Sequence, residues 1–173
     1  ITMDFKEVDN IVLVIGKTEG HIDQSLFARI ILNEKNGPPP EVNLFNEKNI
    51  GETLLKLIEN DFIKSAHDVS LGGIITAVAK MSIKGNKGIN LIKPKFLINE
   101  IEYYFSEDQG RYIVEVTKEN LKKVSDILNI NAVHFDQLGT INENQLYIND
   151  KTKVTIDELK TSHTNWLTNY MSK

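Results

Sequence analysis

His67 and Asp68 stand side by side in the stretch SAHDVSLGG, just ahead of Ser70 and the pair Gly72-Gly73. A strand ending near Ala66 would deliver both side chains to the tip of a sheet. The apolar run that begins at Ile74 reads as the helix that follows. Bare glycine N–H groups at a helix start suit a phosphate or carboxylate, since several donors and the positive end of the helix dipole converge there. Asp68 could then hold a Mg²⁺ ion bridging to that phosphate. The same residues admit a plainer reading, in which Asp68 and Ser70 cap the helix and the glycines let it sit close to the sheet. Spacing alone leaves both readings open.

A second polar cluster is FSEDQGRY, Phe105 to Tyr112. Ser106, Glu107, Asp108 and Gln109 offer more donors and acceptors than a simple turn requires, and Arg111 adds an anion contact. A solvated hairpin loop would account for the same composition. His21, His134 and His163 are scattered without ligand spacing and read as surface or core histidines. The chain has no G-x-x-x-x-G-K-[ST], no G-x-G-x-x-G after a strand and no G-x-S-x-G, which excludes a self-contained P-loop ATPase.

The elements that must position these groups alternate along the chain. IVLVIGK (Ile11–Lys17) reads as a buried strand. QSLFARIIL reads as a helix with Leu26, Phe27, Ile30 and Ile31 on one stripe. NGPPPEV must be a loop, because three prolines cannot sit in a helix interior. Asn43 caps a helix carrying Ile50, Leu54, Leu57 and Ile58. FIKSAHD reads as a strand, the run from Gly72 as a buried helix stopped at Gly85, and GINLI as a strand. KFLINEIEYYFSEDQG is ambiguous between helix and loop. RYIVEVT alternates as a strand, and Thr117 caps a helix with Leu121, Val124 and Leu128. AVHFDQLGTI and QLYIND read as strands joined near NEN. Thr155 and Glu158 form a capping box opening a final helix. The fold class this predicts is α/β, an α+β layered sandwich with helices packed on a mixed sheet.

Composition sets the outer limits. The 173 residues are 40% hydrophobic, enough for one ordinary core, and the net charge of −4 argues against a nucleic-acid partner. The absence of cysteine removes disulfides, thiol nucleophiles and Cys-ligated metals. No apolar run approaches the roughly 20 residues of a membrane span, so a cytoplasmic location without membrane contact is expected. The opening ITMDFKEVDN has no initiator-like start, and the chain is expected to be a fragment of a longer one. Residues 1–173 are read as one domain, with 1–10 as a linker and 155–173 as a closing C-terminal helix.

SAHDVSLGG, then YFSEDQGRYIVEV, then VHFDQLGTI together resemble formylglycinamidine ribonucleotide synthetase, specifically the C-terminal domain it shares with aminoimidazole ribonucleotide (AIR) synthetase. EGHIDQSLFARIILNEKNGPPPEVNL and VTIDELKTSHTNWLTNYM extend the resemblance over nearly the whole chain. The resemblance implies an AIR synthase C-terminal-domain-like fold and membership of an ATP- and Mg²⁺-dependent carbon–nitrogen ligase. That ligase converts formylglycinamide ribonucleotide and glutamine-derived ammonia to the amidine in purine biosynthesis. Implied partners are the remaining domains of the synthetase chain, the ribonucleotide substrate and, if the enzyme is of the multi-subunit type, a glutaminase subunit supplying ammonia and a small accessory subunit.

By the same resemblance His67, Ser70, Gly72, Gly73, Ser106, Glu107 and Gln109 are expected to meet substrate or phosphate and Asp68 a metal. No residue of this domain is expected to be catalytic, no cofactor is assigned to the fragment itself, and the isolated domain is expected to be inactive. Two departures from the family pattern are Leu71, where most relatives carry an acid, and TEGHIDQS in place of Gly-Gly-Ser. The alternative is a cleft-closing scaffold domain of another enzyme of this superfamily, similar to AIR synthetase or selenophosphate synthetase.

Overall fold

The computed structural model describes residues 1–92, 99–149 and 152–172. Its centre is β1 (Ile11–Ile15), five apolar residues buried on both faces. Val12 and Val14 enter one core and Ile11, Leu13 and Ile15 the other. The alternation of a strand sends successive side chains to opposite faces, so an uninterrupted apolar run marks a strand covered on both sides. Around it stand β2 (Ser65–Asp68), β3 (Gly88–Leu91), β4 (Tyr112–Val116), β5 (Phe135–Asn142), β6 (Gln145–Ile148) and β7 (Thr152–Thr155). They form one seven-stranded mixed sheet in the order β2-β4-β1-β5-β3-β6-β7. Among the described strands only β3 and β6 pair in parallel; the other neighbours are antiparallel.

Helices cover both faces. α2 (Gly73–Gly85) and α3 (Glu100–Phe105) contribute Ile74, Val78, Met81, Tyr103 and Tyr104 to one core. α1 (Leu44–Glu59) and α4 (Leu121–Ile130) contribute Ile50, Leu54, Leu57, Val124 and Leu128 to the other. The layered α/β class expected from the sequence is the one observed. α1 begins where expected: the Asn43 side chain accepts from the Asn46 N–H at 3.0 Å. Asn43→Ala is therefore expected to cost about 1 kcal/mol, read as a small drop in the melting temperature of the chain. α5 (Ile156–Met171) opens on the expected Thr155–Glu158 capping box. Ile156 is buried and Leu159 packs on the core, while Trp166, Leu167, Tyr170 and Met171 are exposed.

Three expectations are corrected. The helix expected over QSLFARIIL is reduced to a π-helical turn at Ala28–Leu32, and its supposed buried stripe fails, with Ile30 and Ile31 exposed. Thr117 is not the cap of α4. Asn120 is, and the Thr117 hydroxyl accepts from the Asn120 N–H one turn earlier. β7, for which the sequence reading assigns no element, pairs with β6 as a strand. Residues 1–10, expected as a linker, are fastened to the domain. Phe5 is buried beneath Met81 and Gly85, where a Cβ on Gly85 would lie 2.4 Å from the Phe5 carbonyl oxygen. Of the ambiguous KFLINEIEYYFSEDQG segment, residues 95–98 lie outside the described residues and the rest holds α3, opened by an Asn99–Glu102 capping box.

Candidate functional site

The sheet brings both sequence clusters to one end. β2 runs out at Asp68, which pairs with Tyr112 at the start of β4, and Ile15 at the end of β1 pairs with the same Tyr112. The loops leaving these strands therefore meet, and long-range hydrogen bonds fasten them together.

Arg111 is the fastener. Its side chain is fully buried. Nε donates to the Asp108 carbonyl (3.2 Å), Nη1 to the Thr18 and Ser106 hydroxyls (3.1 and 3.3 Å), and Nη2 to the Ser106 carbonyl (2.7 Å). Burial lowers its pKa, and the neighbouring Asp108, Tyr103 and Glu107 act in the opposite direction. The Asp108 carboxylate, 3.6 Å from Nη1, accepts from the backbone N–H groups of Glu19, Gly20 and His21. Three backbone donors around one carboxylate fix the loop after β1.

Glu107 completes the arrangement and settles how α2 begins. Its Oε1 accepts from the Leu26 and Gly72 N–H groups, each at 2.8 Å. The N–H of Gly73 donates to the Ser70 carbonyl at 3.0 Å. Both glycine N–H groups proposed for an anion are thus committed within the chain, the first to a carboxylate that stands where the anion would. The capping alternative is also corrected: the N-cap is Gly72 in a left-handed conformation (φ 83°) without a side-chain cap, so neither Asp68 nor Ser70 caps α2. The glycines serve close approach. A Cβ on Gly73 (φ +70°) would lie 2.6 Å from the carbonyl oxygens of Ser106 and Tyr104. Gly73→Ala is expected to destabilise the chain by about 2 kcal/mol through that clash and the left-handed backbone, a loss that thermal melting would register.

What remains free faces a cavity of about 390 Å³. Of the residues singled out from sequence, Asp68, Ser70, Glu107 and Gln109 line it. Asp68, Ser70 and Gln109 are exposed there. Ser106 is buried in the Arg111 network, and His67 is largely buried, its Nδ1 3.0 Å from the Asp68 carboxylate. Sequence reasoning missed Arg29, Asp23 and Glu47, which come to the same cavity from the π turn, the loop before it and α1. A second cavity of about 710 Å³ adjoins it and shares Pro39, Pro40, Glu47, Gln109 and Gly110 with the first. Among the described residues no three His, Asp or Glu side chains form a metal-ligand set. Asp68 offers one exposed carboxylate, which fits a Mg²⁺ carried mainly by phosphate and water rather than a protein cage.

Comparisons with known proteins give the family and the fold of the chain. The chain is 71% identical over 171 residues to phosphoribosylformylglycinamidine synthase subunit PurL of Pelagibacter ubique, an alignment covering 99% of this chain and 23% of that protein. It is 36% identical over 165 residues to the same subunit of Bartonella quintana, covering 95% of this chain and 22% of the relative. The chain thus spans about a quarter of the length of these relatives. Among solved structures, Thermotoga maritima PurL complexed with FGAR superposes with a TM-score of 0.77 at 20% identity, over 92% of this chain and 29% of the other. A thiamine-monophosphate kinase from Stenotrophomonas maltophilia superposes with a TM-score of 0.61 at 12% identity, over 87% of this chain and 53% of the other. At these identities the structures show a shared fold. Residues 7–151 match the family described as AIR synthase related protein, C-terminal domain, and the chain belongs to that family.

Proposed function

We propose that this domain forms one wall of the ligand cleft of a phosphoribosylformylglycinamidine synthase. This enzyme uses ATP to convert formylglycinamide ribonucleotide and ammonia to formylglycinamidine ribonucleotide. The 71% identity over 99% of the chain to a PurL subunit carries the reading. The meeting of Asp68, Ser70 and Gln109 in one cavity supports a place for the domain at a ligand. Asp68 would hold Mg²⁺ on the nucleotide side, where the ion neutralises charge on the transferring phosphoryl group. Ser70 and Gln109 would orient the substrate, while Glu107, Asp108 and Arg111 hold the loops that carry them.

Glutamine hydrolysis by a cysteine has no residue here, because the chain has no cysteine. Ammonia would come from a separate glutaminase subunit, with a small accessory subunit in the assembly. A Thermotoga maritima PurLQS structure matches this chain's fold with a TM-score of 0.72, which supports that arrangement. The enzyme would work in the cytoplasm on a small soluble substrate.

A direct assay supplies formylglycinamide ribonucleotide, ATP, Mg²⁺ and ammonium and scores phosphate release. A complete synthetase chain carrying this domain is expected to turn over, and the 173 residues alone are not. Positioning donor, metal and acceptor in line needs walls that one domain does not supply. Substrate-dependent phosphate release by the isolated domain, or none by the complete chain, would overturn the reading.

A further inference from the structure

Arg29 is a guanidinium without an ion pair among the described residues, in a cavity rimmed by carboxylates. Asp23, Glu47, Asp68 and Glu107 line the same cavity, yet among the described residues none lies within ion-pair distance of it. Arg111, the other cation there, has all three of its nitrogens engaged inside the protein. Arg29 is held differently. Nε donates to the Gln24 carbonyl at 2.8 Å and Nη2 donates to the same oxygen. This grip fixes the plane of the guanidinium and leaves the outer fork, Nη1 and the second Nη2 proton, without a partner among the described residues. The backbone around it is unusual. Arg29 sits on the five-residue π turn, a geometry that recurs at functional sites, and Gln24 has a left-handed φ of 62°. Gln24 also donates from Nε2 to the Lys35 and Gly37 carbonyls, tying the proline segment to the same corner.

We infer that Arg29 is the oxyanion-binding residue of this cavity and takes a phosphate group of a bound ligand on its outer fork. The inference rests on the cleft-wall reading above and adds the element which that reading lacks. A fixed planar fork with two free N–H directions matches two phosphate oxygens. The start of α2 cannot do this work, since Glu107 occupies the Gly72 N–H. Asp68 and Glu47 then face the donor-bearing part of the ligand, hydroxyls or an amide, while Arg29 faces its anionic end. The ligand class is a phosphorylated sugar or a nucleotide, and the phosphate could belong to the ribonucleotide substrate or to ATP.

The test uses the complete synthetase chain with Arg29→Met, Arg29→Lys and Asp68→Ala, assayed with ammonium while each substrate is varied in turn. Arg29→Met is expected to raise one KM about tenfold or more, as loss of a charge-assisted hydrogen bond requires, while kcat changes less. Arg29→Lys is expected to recover part of that loss. A rise confined to formylglycinamide ribonucleotide assigns the phosphate to that substrate, and a rise confined to ATP assigns it to the nucleotide. Ribose 5-phosphate and ribose serve as probes of the first case: Arg29→Met is expected to weaken inhibition by the phosphate ester and leave that by ribose unchanged. If Asp68→Ala impairs the enzyme while Arg29→Met leaves both KM values unchanged, the oxyanion role is wrong and the cleft wall stands. If neither variant has an effect, both readings fall. Arg29 is exposed, so its variants are expected to melt with the parent enzyme.

Discussion

Arg111→Ala is expected to lower the stability of this chain by about 3–5 kcal/mol, the loss that follows when one partner of a buried charged pair is removed. For a chain of this length that is a fall in melting temperature of roughly 10 °C or more. The guanidinium is buried among Thr18, Ser106 and Asp108, and every one of its nitrogens donates. Alanine leaves the Ser106 carbonyl and hydroxyl without this partner and removes the cation beside the Asp108 carboxylate. Lysine is not an adequate replacement, since one ammonium cannot reach the four acceptors that the planar fork serves. Arg111→Lys is therefore expected to recover less than half of the loss. An alanine variant melting within about 1 kcal/mol of the parent would show that solvent or a shifted loop replaces the network.

Glu115→Leu is expected to be nearly as damaging, for a different reason. Glu115 lies on β4 between β2 and β1, fully buried, with its carboxylate accepting from the Lys6 and Glu7 N–H groups, the Asn10 amide and the Ser65 hydroxyl. Four donors lose their acceptor at once, the Asn10 amide and Ser65 hydroxyl buried and the Lys6 and Glu7 N–H groups partly so, and a buried one costs about 1–3 kcal/mol if left unsatisfied. The sum is less than additive because residues 4–10 can lift into water, so a net loss of about 3 kcal/mol is expected. Lifting is itself observable, as faster hydrogen exchange at Lys6 and Glu7 and earlier proteolytic cutting before Ile11. Glu115→Gln keeps the shape and one acceptor and is expected to lose less. Unchanged protection of Lys6 and Glu7 in the leucine variant would contradict this account.

The sequence was most readable where local physics decides. IVLVI could only be a strand buried on both faces, and the Asn43 and Thr155–Glu158 helix starts depend on residues a few positions apart. It was least readable where partners lie far apart in the chain. Glu107 reads as a solvent-facing acid until the fold brings Leu26 and Gly72 to it, and Asp108 until residues 19–21 wrap its carboxylate. Glu115 sits in a strand whose alternation predicts a polar outward face, but the opening segment, read as a linker, covers that face. The pattern of Ile30 and Ile31 suggested a buried helix, whereas their backbone forms a π turn that leaves both side chains in solvent. The two polar clusters, far apart in sequence, meet at one cavity, and the division of labour within them was not legible. Asp68, Ser70 and Gln109 differ from Ser106 and Arg111 only in what tertiary structure leaves uncovered.

That division is the central claim, and one measurement tests it most directly. In the complete synthetase chain, kcat/KM for formylglycinamide ribonucleotide is compared for the parent and the double variant Asp68→Ala, Gln109→Ala, with ammonium as nitrogen source. Both side chains are exposed in the cavity and take no part in the Arg111 network. The account predicts a fall of about tenfold or more, equivalent to about 1.4 kcal/mol of lost transition-state stabilisation, with the melting temperature unchanged. An unchanged kcat/KM, in an enzyme that melts like the parent, would show that this cavity does not meet the substrate.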